Sequence, residues 1–337
     1  MYKKAMAMFM LCETSVHAGS GSELGIVDLP IQRERHTDYP VFHSSSIKGS
    51  LRFNVDRAQS FWDAFQKQWE SEGSILLTDI PDSKKFKTIF EAVFGKKEVS
   101  SDTQSFASAI SITDGRILLF PVKSLKGTFA YITCPFVLNR FKRDLAKADL
   151  APKELENVNL TLEEGKALVT TNSVVTVNQA VTLEEFTLSA TADNKVDALA
   201  KLLASAALPG DSAYEYLKTK IQNSLVVLSD DDFKEFVSQS TEVVARIKID
   251  PDTGTVSSDG GNLWYEENLP AESILYSLIF AQDLNEGGKK KAGLENSTVS
   301  AEEVLKFVKQ VIPERIQLGG NETIGRGILA LNFYNGK

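Results

Sequence analysis

The sequence predicts an α+β fold with a ferredoxin-like core that carries several insertions. Segments of strand and helix periodicity interleave without a steady strand–helix alternation, which argues against a doubly wound parallel sheet. Asp114-Gly115 and Thr253-Gly254 sit between apolar runs and call for antiparallel pairing. Apolar residues make up 42% of the 337 and charged residues 24%, so the chain can bury a core and is not disordered as a whole. The length admits two average domains or one domain with insertions; residues 1–337 are read as one.

In chain order, residues 4–13 read as a buried first strand. The polar stretch that follows holds all three histidines, His17, His36 and His43, among the acids Glu23, Asp28, Glu34 and Asp38 and the bases Arg33 and Arg35. Long ordered connections of this kind in compact domains are usually functional. Ser44 to Ser46 offer N-cap side chains to a helix from Ile47 to about Glu70, with Leu51, Val55, Ala58, Trp62, Phe65 and Trp69 on its apolar face.

Residues 71–105 read as an insertion, with a short helix at 84–94 closed by Gly95 and a mobile loop at 100–104. Asp114-Gly115 predicts a hairpin, 129–134 a strand, and Pro135 the first turn of a helix. From about 165 to 188 polar and β-branched residues alternate with few core positions on both faces, which predicts a projecting β-hairpin.

Helices are expected at 194–206 and 211–223, then a strand at 225–228, a helix at 230–239 and a strand at Val243–Ile249. A further strand falls within 270–282, a flexible loop at 287–297, and a helix at 300–311. The final strand pair flanks the glycine-rich run 318–327.

The net charge of −8 argues against a generally basic nucleic-acid binder, although a local basic groove is compatible with it. Residues 114–144 are locally basic. Cys12 and Cys134 lie in apolar runs without C-x-x-C spacing, which excludes a cysteine zinc site and suggests buried thiols. No apolar run approaches transmembrane length and the N-terminal one is too short for a signal peptide, so no membrane association and a cytoplasmic location are expected.

Several residues carry candidate chemistry. His17 suits a general acid or base, or equally a polar residue that orders the loop. Ser46, Lys48, Gly49 and Arg52 form a candidate phosphate site: a helix N-terminus presents free amides, the two cations share a face, and glycine permits close approach. Lys123 and Lys126 could add phosphate contacts, as could Arg326 in the glycine-rich run. That run fails as a nucleotide fingerprint because no helix follows it. Glu266, in Trp264-Tyr265-Glu266-Glu267, is either part of a second acidic cluster or a strand end with Trp264 in the core.

Three segments together resemble the RAMP superfamily of CRISPR effector proteins: HAGSGSELGIVDLPIQRERHTDYPVFHSSSIKGSLR, LLFPVKSLKGTFAYITCPFVLNRFKRDL and LGGNETIGRGIL. The likeness is strongest to the repeating backbone subunits of type III-B (Cmr) RNA-targeting complexes and runs from about residue 5 to 332. It implies an RRM-like, that is ferredoxin-like, core with a hairpin thumb, here expected at 165–188. It implies stacking of copies along a CRISPR RNA beside other Cmr subunits, with thumbs interrupting the guide–target duplex. It also implies endoribonuclease cleavage of the paired target RNA by its 2′-hydroxyl, dependent on a divalent metal such as Mg or Mn.

The loop aspartate of that family falls on Asp28, the implied catalytic and metal-binding carboxylate, whose bland alternative is a turn residue before Leu29-Pro30. Two other readings stay open: a scaffold that grips guide RNA and cuts nothing, and a metal-independent guide-processing RNase with His17 as base.

Overall fold

The computed structural model describes residues 2–22, 25–58, 74–77, 80, 82–96, 107–155, 160–250, 252–256 and 263–336. Strand β1 is Lys4–Cys12, and β2, Val41–Phe42, leads into helix α1, Ser44–Ala58. Helix α2 is Ser83–Phe94, closed by Gly95 as the sequence predicts and capped at its start by Asp82. Strands β3 (Ile110–Ile112), β4 (Gly115–Lys123) and β5 (Phe129–Thr133) precede α3, Pro135–Lys147. Then come β6 (Lys166–Val169), β7 (Thr176–Val177), β8 (Ala180–Leu183) and β9 (Phe186–Ala192). Helices α4 (Asn194–Ala207) and α5 (Glu215–Ser224), strand β10 (Leu225–Leu228) and helix α6 (Asp230–Gln239) follow. The last third holds β11 (Glu242–Ile247), β12 (Leu263–Asn268), β13 (Ile274–Ala281), α7 (Glu286–Ala292), α8 (Ala301–Val311), β14 (Arg315–Gln317) and β15 (Ile328–Tyr334).

One mixed sheet runs β14-β15-β1-β13-β4-β5-β10-β6-β9-β8-β7, with β2 on β4 and β3 on β13. The first strand lies inside it, between β15 and β13. Every residue of β1 from Met6 to Cys12 is buried, so both its faces are covered. Phe9 meets Phe141 of α3, while Met10, on the other face, reaches the same spot beside Gly115 as Ile47 of α1. Cys12 and Cys134 are buried free thiols.

Four expectations change. Asp114-Gly115 makes no hairpin, because β3 and β4 both pair with β13, one after the other. Gly115 is required by packing: a side chain there would strike Met10, Ile47 and Phe42. Asp114 instead accepts the Ser44 amide at the start of α1, 2.7 Å away, and His43 rather than a serine supplies the first helical carbonyl. The expected loop at 287–297 contains α7, capped by Asn285, ended by left-handed Gly293, and carrying Lys289–Lys291 at its C-terminal end, where cations favour the helix dipole. Residues 59–70 of the first helix and the loop 100–104 lie outside the described residues, as does much of the insertion 71–105.

The fourth change concerns 165–188. The stretch does form hairpins, including a two-residue β7–β8 turn with Asn178 and Gln179 in the left-handed region. It does not project. Strand β6 lies between β10 and β9, and Val175, Val181, Leu183 and Leu188 are buried. The alternation puts these four side chains into the core, which a half-polar pattern conceals.

The element that stands apart from the main sheet is the two-stranded ribbon β11–β12. Val243, Ile247, Leu263 and Tyr265 on it are each 40–54% exposed.

The long loop is anchored by charge. Arg140 of α3 is 5% exposed and donates from Nη1 to both carboxylate oxygens of Glu34 at 2.7 Å, with its guanidinium over the Phe136 ring. Removing one partner of such a buried pair leaves the other charge unpaired. Glu34→Ala is therefore expected to cost about 3–5 kcal/mol, read as a lowered urea midpoint. Deleting 168–184 removes β7 and β8 and part of β6, stripping cover from β10 and β9. That variant is expected to lose cooperative unfolding and to expose apolar surface to a dye such as ANS.

Candidate active site

The loop between β1 and β2 folds back on itself and then onto β12. Its outgoing leg pairs Val16 with Leu269, and its two legs pair through Gly19 and Ile31. The return leg pairs Leu29 with Glu266, as a short parallel third strand on the ribbon. Leu29 N–H donates to the Tyr265 carbonyl at 3.1 Å and Glu267 N–H to the Leu29 carbonyl at 3.0 Å. β11 occupies one edge of β12; the loop takes the other.

This pairing brings two of the sequence candidates to the same edge. Asp28 Oδ2 accepts the Tyr265 amide at 2.7 Å, leaving Oδ1 without a partner among the described residues. His17 Nδ1 lies 2.7 Å from the Glu267 carbonyl. A carbonyl only accepts, so Nδ1 carries the hydrogen and Nε2 presents its lone pair. The two attachment points are two residues apart on one strand, about 7 Å at ~3.4 Å per residue. Both side chains are half-buried, with one atom held and one offered.

The glycine-rich run walls His17 from behind. Gly320 N–H donates to the His17 carbonyl at 2.9 Å. Gly319, with φ of +92°, lies so close to that carbonyl that a side chain would collide with it. Asn321 reaches from the same run to Glu266 at 2.7 Å.

Glu266 is 3% exposed and also pairs with Arg246 at 3.2 Å, so its carboxylate is turned inward at the base of the ribbon. Trp264 is half-buried rather than a core residue. His36 and His43 are exposed and stand apart from this cluster in the loop's pairing.

The candidate RNA contacts are dispersed. Lys48 donates to Ser108 Oγ at 3.1 Å, and burial, reinforced by Arg52, lowers its pKa. Arg52 spans the carbonyls of Phe94 and Gly95 at the end of α2. Ser46 accepts from Gln32 at 3.4 Å, while Gly49 is exposed, with open space around its Cα. Lys126 donates to the Thr176 carbonyl at 3.1 Å; Lys123 is exposed and has no side-chain partner among the described residues. Arg326 pairs with Glu242 at 3.1 Å and bonds Ser15.

The residue that sequence reading passed over is Glu267. It is 6% exposed and pairs with Arg33 at 2.5 Å. The paired arginine and glutamates were visible as letters, but nothing in their spacing joins residue 33 to residue 267.

The donor set was tested for a resident metal. Among the described residues no three His, Cys, Asp or Glu side chains stand close enough to hold one. Asp28 offers a single oxygen, and Glu266 and Glu267 are committed to arginines. The residues present do not fit a divalent ion held by the protein alone.

The RAMP superfamily model matches residues 10–330. The chain is 36% identical over 331 residues to the CRISPR system Cmr endoribonuclease Cmr4 of Pyrococcus furiosus, across 98% of this chain and 96% of that one. The crystal structure of oligomeric Cmr4 from Pyrococcus furiosus superposes with a TM-score of 0.65 at 29% identity, covering 99% of both chains. A chain of the cryo-EM structure of the type III-B Cmr-beta bound to cognate target RNA shares the fold, with a TM-score of 0.66 at 22% identity over 98% of each. With a family model spanning nearly the whole chain and a near full-length relative at this identity, the protein belongs to the RAMP superfamily.

Proposed function

We propose that this chain is the backbone subunit of a type III-B CRISPR effector complex, stacking with copies of itself and other Cmr subunits along CRISPR RNA and cutting the paired target RNA. The near full-length relative named as a Cmr endoribonuclease supports the assignment. The observation that carries the chemistry is the shared edge of β12, from which Asp28 and His17 each present one free atom.

In this reading the core is ferredoxin-like, supported by the order β15-β1-β13-β4 with α1 after β1 and α8 after β13. The thumb role passes from 165–188 to the ribbon β11–β12, supported by its separation from the sheet and its exposed apolar side chains.

Target cleavage by the RNA's own 2′-hydroxyl needs removal of that proton and in-line placement of the leaving oxygen. Asp28 Oδ1 takes the proton. His17 Nε2 lies near enough along the strand to accept a hydrogen bond from the displaced nucleotide. RNA backbone is held by the amides and side chains around Ser46, Lys48, Gly49 and Arg52, with Lys123, Lys126 and Arg326 flanking it. A divalent cation enters this reading only as an ion shared with RNA phosphates. Glu266 acts as a brace for the ribbon. The complex works in the cytoplasm; among the described residues no helix is long and apolar enough to cross a membrane.

Asp28→Asn keeps an oxygen to accept the Tyr265 amide and removes the base. An assembled complex with this change is expected to bind target RNA normally and to cut it about 10²-fold more slowly or worse, measured in single-turnover assays. Undiminished cutting would leave the scaffold reading in front. The ribbon is tested separately with Val243→Ser, Ile247→Ser and Leu263→Ser, all at exposed positions. Guide-RNA binding is expected to persist while the regular spacing of target fragments on a sequencing gel is lost.

A further inference from the structure

We infer that Glu267 is the positioning residue of the cleavage site, holding Asp28 and His17 in place through one buried hub; this rests on the reading of the site just given. All its polar atoms are engaged. Its N–H bonds the Leu29 carbonyl at 3.0 Å, one residue after Asp28. Its carbonyl takes the His17 Nδ1 hydrogen at 2.7 Å and so sets that ring's tautomer. Carboxylate Oε2 accepts the Ile31 amide at 3.0 Å, and Oε1 accepts from Arg33 at 2.5 Å and Thr241 at 2.7 Å. Arg33 extends the clamp to the Asp38 and Val237 carbonyls, tying the loop to α6.

The side chain is thus the link that main-chain pairing cannot supply. Pro30 faces the outgoing leg of the loop, so the next amide toward β12 is that of Ile31, and the Glu267 carbonyl in register with it is taken by His17 Nδ1. The parallel pairing would end at Leu29 without the carboxylate that catches the next amide. At 6% exposure the carboxylate does not face RNA, and with three donors on it the group is an anchor and not a base. Because β12 is also one strand of the ribbon, displacement of the ribbon by RNA or by a neighbouring copy is transmitted to Asp28 through this residue.

Glu267→Gln keeps the shape but puts an amide against either the Ile31 N–H or the Arg33–Thr241 donors. In the assembled complex, cleavage at saturating target is expected to fall roughly tenfold or more, the scale set by small misplacements of a reacting group. Target affinity and the shape of the pH–rate profile should be unchanged, and exchange of the Ile31 amide should quicken. In an Asp28→Asn background the same change should cost less than in the unmodified complex, since only the part of its effect that acts through His17 is left. Arg33→Lys, which keeps the charge but not the fork, should give a smaller fall of the same kind and serves if Glu267→Gln does not fold. Normal cutting by Glu267→Gln, an altered pH profile, or loss of RNA binding in parallel with cutting would each overturn the inference. If Asp28→Asn itself cuts normally, the site reading fails; if only Glu267→Gln does, this inference fails alone.

Discussion

The constraint on which the site depends is the second edge of β12. A strand outside a sheet exposes a row of amides and carbonyls that must be paired or solvated. On one side β11 supplies partners. On the other the loop after β1 does so, with Leu29 in strand register and the Asp28 carboxylate standing in for the next carbonyl. The loop is ordered because it completes a sheet, and Asp28 and His17 are ordered because they take part in that completion.

Such an edge pairing is short, and short ladders slip. Here the register is fixed by contacts that tolerate no shift. Gly319 has no room for a side chain against the His17 carbonyl. Glu266 is held from two directions by Arg246 and Asn321, so the ribbon and the glycine-rich run move together. Glu34 is buried on Arg140, which ties the far end of the loop to the helix after β5. Each buried charge gains little net stability over an apolar pair, but each is costly to break, which favours one arrangement over its neighbours.

Local signals in the sequence were read well where they were local in the structure. The capped helix Ser83–Phe94, the proline-led helix Pro135–Lys147 and the buried first strand follow from periodicity and punctuation alone. The errors came from long-range packing. Asp114-Gly115 has the letters of a hairpin, yet its glycine answers to Met10 and Ile47. The alternation at 165–188 looked too polar to be covered on either side, and the fold buries Val175, Val181, Leu183 and Leu188 from it. The true free ribbon was missed because its strands are separated by some fifteen residues and its apolar outer face looks like core. Of the site, Asp28 and His17 were legible through the family likeness, whereas Glu267 was not, since its role exists only once residues 31, 33 and 241 converge on it.

That asymmetry has a physical origin. Asp28 is positioned by the Tyr265 amide and His17 by the Glu267 carbonyl, main-chain groups that every residue type but proline, which lacks the N–H, carries. A sequence therefore shows the groups that act and hides the ones that aim them. Short of proline at 265, substitution does not remove these main-chain partners, so the aim fails through movement of β12 or slippage of the loop along it. Slippage is opposed beyond Pro30 by Glu267, which grips Ile31 and Arg33, and by Arg140, which grips Glu34. The net charge of −8 matters little at this range, because charges beyond about 8–10 Å are screened at physiological salt. In the proposed reading, placement of single atoms on one strand edge, rather than the field of the whole protein, then decides which linkage of a bound strand is within reach.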